Sequence, residues 1–364
     1  MGKQIYILNE EGTIKIFKNK KQQAPVTYRT KLSSKNLKHD FTENQEDIKI
    51  QKKIQTISEY ILFLPRYRID SKNSPSLIFN KGQCIALGGF WNGDILIEKI
   101  DINDKSGKKD YPETKIYSTR DYSPINHMII DENENFAICG NILGTIYIFG
   151  INQNDKIDWN LYKVIYDHIS PITSISINTT LNIFITCSKN GYCMLYTLPN
   201  CKLVNSYKLK NIININNNDN LPLISNISLI SSSPLPCIIF YFKSRNLLVS
   251  VSINGHFLKV KKIDFEISSN SIKIFSDKQF IDYLLIYNSK NENIEVYNII
   301  ELKCIMNWPI KNYTFIDFIL SKDLDNIFLL VNNRIFKEEQ DDDNENDYKI
   351  LVLKNSNIIK PQID

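Results

Sequence analysis

Four stretches of the chain repeat one pattern, and this repetition is the feature that most limits the possible folds. Each has a short apolar segment, a polar turn that usually carries glycine, and a second β-rich segment with an aromatic residue near its end. The stretches cover residues 4–17, 82–100, 135–150 and 182–197, and the second reads GQCIALGGFWNGDILIEKI. Because Gly and Asn adopt the backbone angles of tight hairpin turns, each stretch predicts a β-hairpin. Repetition about every 40–50 residues is typical of a β-propeller of WD-repeat type.

The chain length sets the expected number of repeats. With about 45 residues in a blade, the 364 residues predict about seven blades, in an all-β fold where residues 1–364 form a single WD40-type propeller. The first repeat begins with a segment that matches a second strand, and the last repeat ends with one that matches a third strand. We therefore expect incomplete first and last blades, and a complete protein that does not start at Met1. The alternative is that residues 58–65 or the carboxy-terminal tail supply the missing strand.

Two polar segments interrupt the repeats. Residues 18–55 are charged and lack periodicity, which predicts a disordered surface insertion. Residues 337–347 are acidic and predict a solvated loop within the last blade. We expect both segments to be dispensable for folding.

The hairpin of residues 82–100 has an alternating second strand. Alternation indicates a strand with one buried face. It predicts that Asp94, Leu96 and Glu98 face outward, or that the reverse set does.

Charge and motifs exclude several function classes. The net charge is +4, from 44 basic and 40 acidic residues, which does not indicate a nucleic-acid-binding protein. The sequence has no phosphate-binding loop, zinc-ligand spacing or nucleophile elbow, so we expect no cofactor, no metal and no catalysis. An enzyme using a central channel is a weaker alternative that requires carboxylates or histidines converging on one face. The scattered cysteines lack CxxC pairs, which favours buried free thiols and a cytoplasmic protein.

His168 stands where WD repeats place the histidine of their Gly-His dipeptide. In such repeats the histidine bonds a Ser or Thr on the second strand and an Asp in the following turn. The matching positions are Thr186 and Asn190, and Tyr196 stands where Trp is usual. Because buried polar groups are normally paired, we interpret these four residues as a structural network, not as a ligand site.

Trp91 and Phe90 lie in the glycine-rich turn of the second stretch. Exposed aromatic residues are favoured anchors for a protein partner, which makes the two residues candidates for partner binding. The alternative is that Trp91 packs against a neighbouring blade, as large aromatic residues usually do.

The segment IALGGFWNGDILI resembles a turn in the carboxy-terminal WD-repeat propeller of BEACH-domain proteins of the neurobeachin, beige-like anchor and lysosomal trafficking regulator type. That family has a pattern like SGGHWDGSLRV, in which the glycines and the tryptophan match this chain. Phe90 replaces its His, and Asn92 replaces its Asp. The segment SVSINGHFLKV at 250–260 is similar to the family's SVNGKLRAS. The resemblance covers most of the chain from about Pro75 onward.

The resemblance implies a non-catalytic scaffold for protein–protein interaction in vesicle and membrane trafficking. In that family a PH-like and BEACH module precedes the propeller, so the expected partners are other proteins, including such a module in the same full-length protein. The protein would be cytoplasmic and reach endomembranes through its partners. The alternative is a WD-repeat scaffold in another complex, such as a ubiquitin-ligase substrate receptor or a ribosome-biogenesis factor.

Overall fold

The computed structural model describes the chain in segments separated by gaps. They are residues 4–8, 13–18, 26–29, 76–80, 83–89, 93–101, 113–119, 121, 123–130, 136–152, 158–213, 223–276, 280–310, 313–320, 326–333 and 348–354. The chain divides into two compact units, Met1–Ile172 and Thr173–Asp364.

Within the described residues, the strands form seven antiparallel sheets in chain order, five with four strands and two with three. Sheet 1 contains β1 (Gln4–Leu8), β2 (Thr13–Lys18) and β3 (Val26–Arg29). Sheet 2 contains β4 (Ser76–Asn80), β5 (Gln83–Gly89), β6 (Asp94–Asp101) and β7 (Glu113–Ser118). Sheet 3 contains β8 (Ile125–Ile130), β9 (Phe136–Asn141), β10 (Ile146–Asn152) and β11 (Asp158–Ile165).

The remaining sheets follow the same order. Sheet 4 contains β12 (Ile172–Asn178), β13 (Ile183–Ser188), β14 (Tyr192–Thr197) and β15 (Leu203–Lys208). Sheet 5 contains β16 (Ile227–Ser231), β17 (Cys237–Phe242), β18 (Leu247–Ser252) and β19 (Phe257–Lys262). Sheet 6 contains β20 (Ile272–Ser276), β21 (Asp282–Asn288), β22 (Asn293–Asn298) and β23 (Cys304–Pro309). Sheet 7 contains β24 (Tyr313–Leu320), β25 (Asn326–Asn333) and β26 (Tyr348–Lys354).

The sheets confirm the all-β, repeated architecture that the sequence predicts. Each sheet pairs strands that follow one another in the chain, as sheets linked by short turns do. Strand β3 is a finding that the sequence analysis missed, because it lies inside the segment 18–55. The rest of that segment, residues 58–65 and residues 337–347 lie outside the described residues.

The second strand of sheet 5 is buried on both faces and packs against two neighbouring sheets. In β17, which reads CIIFYF, every residue is buried. Ile238, Phe240 and Phe242 pack in a core with residues of sheet 4. Ile239 and Tyr241 point the other way, into a core with residues of sheet 6. Because neighbouring side chains in a strand point to opposite faces, one apolar strand contributes to two cores.

The burial of β6 selects between the two alternating sets of the predicted hairpin. Ile95 is fully buried and Asp94 is half-buried. Ile95 packs with Ile125 and Phe149 of sheet 3. Ile95 therefore faces the core, while the side chains of the other residues in the two sets, Leu96, Ile97 and Glu98, lie outside the described residues.

The prediction of buried free thiols is confirmed for five residues, whereas Cys304 is a half-buried free thiol. The five are Cys139, Cys187, Cys193, Cys201 and Cys237. Burial raises the pKa of Cys237 to about 11. Such thiols behave as small apolar side chains, because the thiolate that reacts is disfavoured away from water.

Candidate interaction site

Three chain segments meet at one end of sheet 3, within the first unit. The central segment is the turn of residues 141–145, which joins β9 to β10. On one side lies the segment before β8, whose Pro124 carbonyl oxygen accepts a hydrogen bond from the Ile142 amide at 3.1 Å. On the other side lies the segment that follows β11, with residues 166–170.

Gly144 allows the turn to approach the segment after β11. Its φ is +95°, in the region that side chains rarely adopt. A Cβ atom at this position would lie 2.6 Å from the carbonyl oxygen of His168 and 2.9 Å from that of Ser170. Backbone atoms occupy the space of a side chain here, so the position requires glycine.

Asp121 ties the turn to the segment before β8. Its Oδ2 accepts hydrogen bonds from Asn141 Nδ2 at 2.7 Å and from Thr145 Oγ1 at 3.1 Å, and its carboxylate also bonds the hydroxyl of Tyr147. Asn141 Oδ1 in turn accepts hydrogen bonds from the backbone amides of Leu143 at 3.0 Å and of Thr145 at 2.8 Å. One carboxylate and one amide side chain therefore hold the whole turn.

The pKa values agree with this arrangement. Burial acts to raise the pKa of Asp121, but the hydrogen bonds from Tyr147, Asn141 and Thr145 stabilise its carboxylate more strongly, and the pKa lies below its ordinary value of 3.8. Burial and the hydrogen bond to Asp121 raise the pKa of Tyr147. At neutral pH the two groups are therefore a carboxylate and a neutral phenol, which is the pairing that the hydrogen bond needs.

Three exposed apolar side chains lie on two of these three segments. Leu143 at the tip of the turn is 55% exposed, and Tyr166 and Ile169 after β11 are 72% and 88% exposed. The close approach of Gly144 to His168 and Ser170 makes the two segments neighbours. We call Leu143, Tyr166 and Ile169 the sheet 3 patch.

The four residues of the predicted WD network are divided between the two units, with His168 in the first and Thr186, Asn190 and Tyr196 in the second. His168 is buried in the first unit, in the segment between β11 and β12. Thr186 is fully buried on β13, and Tyr196 on β14 stacks on Phe184 with ring centroids 4.9 Å apart. Asn190 Oδ1 accepts hydrogen bonds from Ser188 Oγ at 2.6 Å and from the Tyr192 amide at 3.3 Å.

The burial of His168, Thr186 and Tyr196 suits a structural role, and the network that would join them stays a prediction. The prediction of Trp91 and Phe90 as partner-binding residues falls on positions outside the described residues.

The sequence analysis missed Asp121 and its partners. A signal was available in the repeats themselves, because alignment of the two hairpins places Asn141 over Ser188 and Gly144 over Gly191. This alignment marks Asn141 as a turn-holding position. It does not reveal Asp121, which lies 20 residues before Asn141 and outside both hairpins.

Two other kinds of site are absent from the described part of the chain. No group of three or more His, Cys, Asp or Glu residues there is arranged to hold a metal ion. No helix among those residues is long and apolar enough to cross a membrane.

Comparison with known proteins identifies no family. The chain matches no protein-family model, and no curated protein matches it. Among solved structures it is similar to the crystal structure of the computationally designed Ika8 protein. The identity is 12%, over 71% of this chain and 67% of that chain, and the TM-score is 0.45. A TM-score this low does not establish a shared fold or function.

Proposed function

We propose that this protein is a non-catalytic scaffold that binds other proteins, built as a WD40-type β-propeller of about seven blades. The repeated antiparallel sheets support this architecture, because four-stranded sheets in chain order are the units from which propellers are made. Loops on such a framework are favoured for binding, since the sheets fix their positions.

The observation that carries the proposal is the sheet 3 patch. Leu143, Tyr166 and Ile169 expose apolar surface on neighbouring segments, and exposed apolar clusters mark interaction sites. Asp121 and Gly144 fix the turn that carries Leu143. A fixed surface loses little conformational entropy on binding. The partner class that fits is a protein segment with apolar side chains, because water leaves both surfaces when they meet.

The resemblance to BEACH-domain propellers adds a more specific proposal. The partner would then be a PH-like or BEACH module, and the protein would act in membrane trafficking at the surface of endomembranes. A WD-repeat scaffold of a ubiquitin-ligase or ribosome-assembly complex is the alternative, and the identity of the partner distinguishes the two.

The test begins with covalent crosslinking of the tagged protein in its own cells, followed by identification and purification of the crosslinked partner. Calorimetry then compares the affinity of the partner for the unchanged protein, for Ile169→Asp and for Ile305→Asp. Ile305 is a matched control, because it is 48% exposed on β23 in the other unit.

We expect Ile169→Asp to weaken binding at least about tenfold, the scale on which truncated interface anchors act, and Ile305→Asp to leave it unchanged. Equal affinities for all three proteins would show that the sheet 3 patch is not the binding site. A turnover activity that purified protein retains with small-molecule substrates would contradict the scaffold itself.

A further inference from the structure

The charge of this chain is unevenly distributed. Residues 168–263 contain nine of the 44 basic residues and one of the 40 acidic residues, Asp219. The remainder of the chain is therefore net acidic. The range spans sheets 4 and 5, and its described residues include no Asp or Glu. A range of about a hundred residues with nine basic residues and one acidic residue has a positive charge that the net charge of the whole protein conceals.

The outer strands of sheets 4 and 5 combine this charge with exposed apolar side chains. Leu203 and Val204 on β15 are 50% and 54% exposed, and Phe257 and Val260 on β19 are 45% and 40% exposed. Exposed lysines lie near them: Lys202 precedes β15, Lys208 ends it, and Lys259 and Lys262 lie on β19. We call the following set the basic rim: Lys202, Leu203, Val204, Lys208, Phe257, Lys259, Val260 and Lys262.

The two strands border the same junction between sheets. β15 and β19 are each the last strand of their sheet, and sheets 4 and 5 share one apolar core. Tyr207 of β15 donates a hydrogen bond from its hydroxyl to the carbonyl oxygen of Ile253, in the turn that leads into β19. This contact holds the outer strand β15 against the start of the outer strand β19, and both strands lie in the second unit.

Some lysines of the region have local partners and others face solvent. Lys261 lies over the ring of Tyr297, 4.4 Å from its centroid, and Lys243 pairs with Glu266. Lys202, Lys259 and Lys262 are exposed. The rim thus presents cations on flexible stems beside aliphatic side chains, which is the combination that binds the headgroup region of a bilayer.

We propose that the basic rim binds the surface of a bilayer that contains anionic lipids. Each lysine near such a surface gains about 1 kcal/mol, and the exposed apolar side chains gain further by entering the interface. This proposal goes beyond the scaffold function, in which membranes are reached through protein partners.

The composition of the rim favours a lipid surface over a nucleic acid. Nucleic-acid recognition uses arginine forks and aromatic side chains on which bases stack. All four cations of the basic rim are lysines, and Phe257 is its one aromatic residue. Aliphatic side chains are the larger part of its exposed apolar surface, and they have a favourable environment at a bilayer boundary.

Vesicle flotation with the full chain tests the proposal. The vesicles contain phosphatidylcholine alone or with about 30% phosphatidylserine, at about 0.1 M salt, where the screening length is about 10 Å. We expect binding to the anionic vesicles only, and its loss at higher salt. Lys262→Glu should weaken it about thirtyfold, because the substitution changes the charge near the surface by two units. Val204→Asp should weaken it at least severalfold.

Matched variants on sheet 6 provide the controls. Lys303→Glu makes the same charge change at an exposed position, and Ile305→Asp replaces an exposed apolar residue on the outer strand β23. Unchanged binding by both controls supports the basic rim. Equal losses at Lys262 and Lys303 would overturn it, because net charge alone would then explain binding. Binding to single-stranded RNA or to polyglutamate, with none to vesicles, would also overturn it.

Discussion

The turns at the ends of sheets 3 and 4 have the same backbone and different means of support. Residues 141–145 and 188–192 occupy matching positions in the two hairpins. The φ angles of Gly144 and Gly191 are +95° and +81°, and each glycine amide bonds the carbonyl three residues earlier, at 3.3 Å and 2.9 Å. Side-chain support of the sheet 4 turn comes from Asn190 within the turn, and the Gly191 carbonyl oxygen also accepts a backbone hydrogen bond from Leu209 at 3.0 Å. In the turn of sheet 3, the side chain of Asp121 makes the tie to another segment.

The two turns form in the same way, but they expose different side chains. Local residues with the right backbone preferences form both turns. Asp121, which lies outside the hairpin, bonds side chains of the first turn, and the tip of that turn carries exposed Leu143 where the second has Asn190. We infer that the repeats share a framework and that the contacts around each turn determine which side chains it exposes.

The largest effect that we expect comes from Gly144→Ala. The added Cβ would meet backbone atoms of His168 and Ser170 at a φ that alanine adopts poorly. The free energy of unfolding should fall by more than about 2 kcal/mol, since strain and collision add. Gly150→Ala in β10 is the control, because its Cβ would make an ordinary 3.7 Å contact with Tyr162. If urea unfolding gives equal midpoints for the two variants, the close approach of the segments is wrong.

Removal of the carboxylate should have the next largest effect. Asp121→Ala deprives Asn141, Thr145 and Tyr147 of their shared acceptor, and hydrogen bonds to charged groups contribute about 1.5–3 kcal/mol. Asn190→Ala removes one neutral acceptor and should cost about 1 kcal/mol. Chemical denaturation of both variants measures the difference. A larger loss of unfolding free energy for Asn190→Ala than for Asp121→Ala would contradict the stronger side-chain support assigned to the turn of sheet 3.

The stability that the Asp121 carboxylate gives to the turn of sheet 3 should also depend on pH. Because the folded pKa of Asp121 lies below its ordinary value of 3.8, its contribution to stability is present above that value. It is lost as the pH falls through the folded pKa. Asp121→Asn should therefore show a smaller fall in its unfolding midpoint than the unchanged protein between about pH 5 and pH 2. Parallel curves for the two proteins would mean that the carboxylate is not stabilised in the fold.

The smallest effect should come from Asn190→Asp. Asn190 Oδ1 accepts both of its described hydrogen bonds, and a carboxylate oxygen accepts them equally well. The stability should change by about 0.5 kcal/mol or less, as for most surface substitutions. A loss as large as that of Asn190→Ala, measured in the same unfolding experiment, would mean that the amide nitrogen carries the interaction.

Sequence periodicity predicts the strands well, because the alternating residues and the turn residues of each sheet lie close together in the chain. The apolar run of β17 predicts a doubly buried strand, and Gly144 and Gly191 predict tight turns. Strand β3 escapes prediction because its four residues, VTYR, lie within a long polar segment. Asp121 escapes because its role depends on contacts with residues up to 26 positions away, such as Tyr147.

The sheet 3 patch is equally hidden in the sequence. Tyr166 and Ile169 look like ordinary apolar residues at the end of a strand, and their exposure follows from the position of the segment in three dimensions. The sequence instead predicts Trp91 as a candidate for partner binding, because its turn has a recognisable pattern. Local patterns thus predict elements, while surfaces depend on how elements meet.

Hydrogen–deuterium exchange of the two turns tests most directly whether an outside carboxylate holds one turn and not the other. The amides of Leu143 and Thr145 donate to Asn141, and the amide of Tyr192 donates to Asn190. We predict that Asp121→Ala accelerates exchange at Leu143 and Thr145 and leaves Tyr192 unchanged, because local opening follows the loss of local contacts. Unchanged exchange at residues 141–145, or equal acceleration in both turns, would contradict the account.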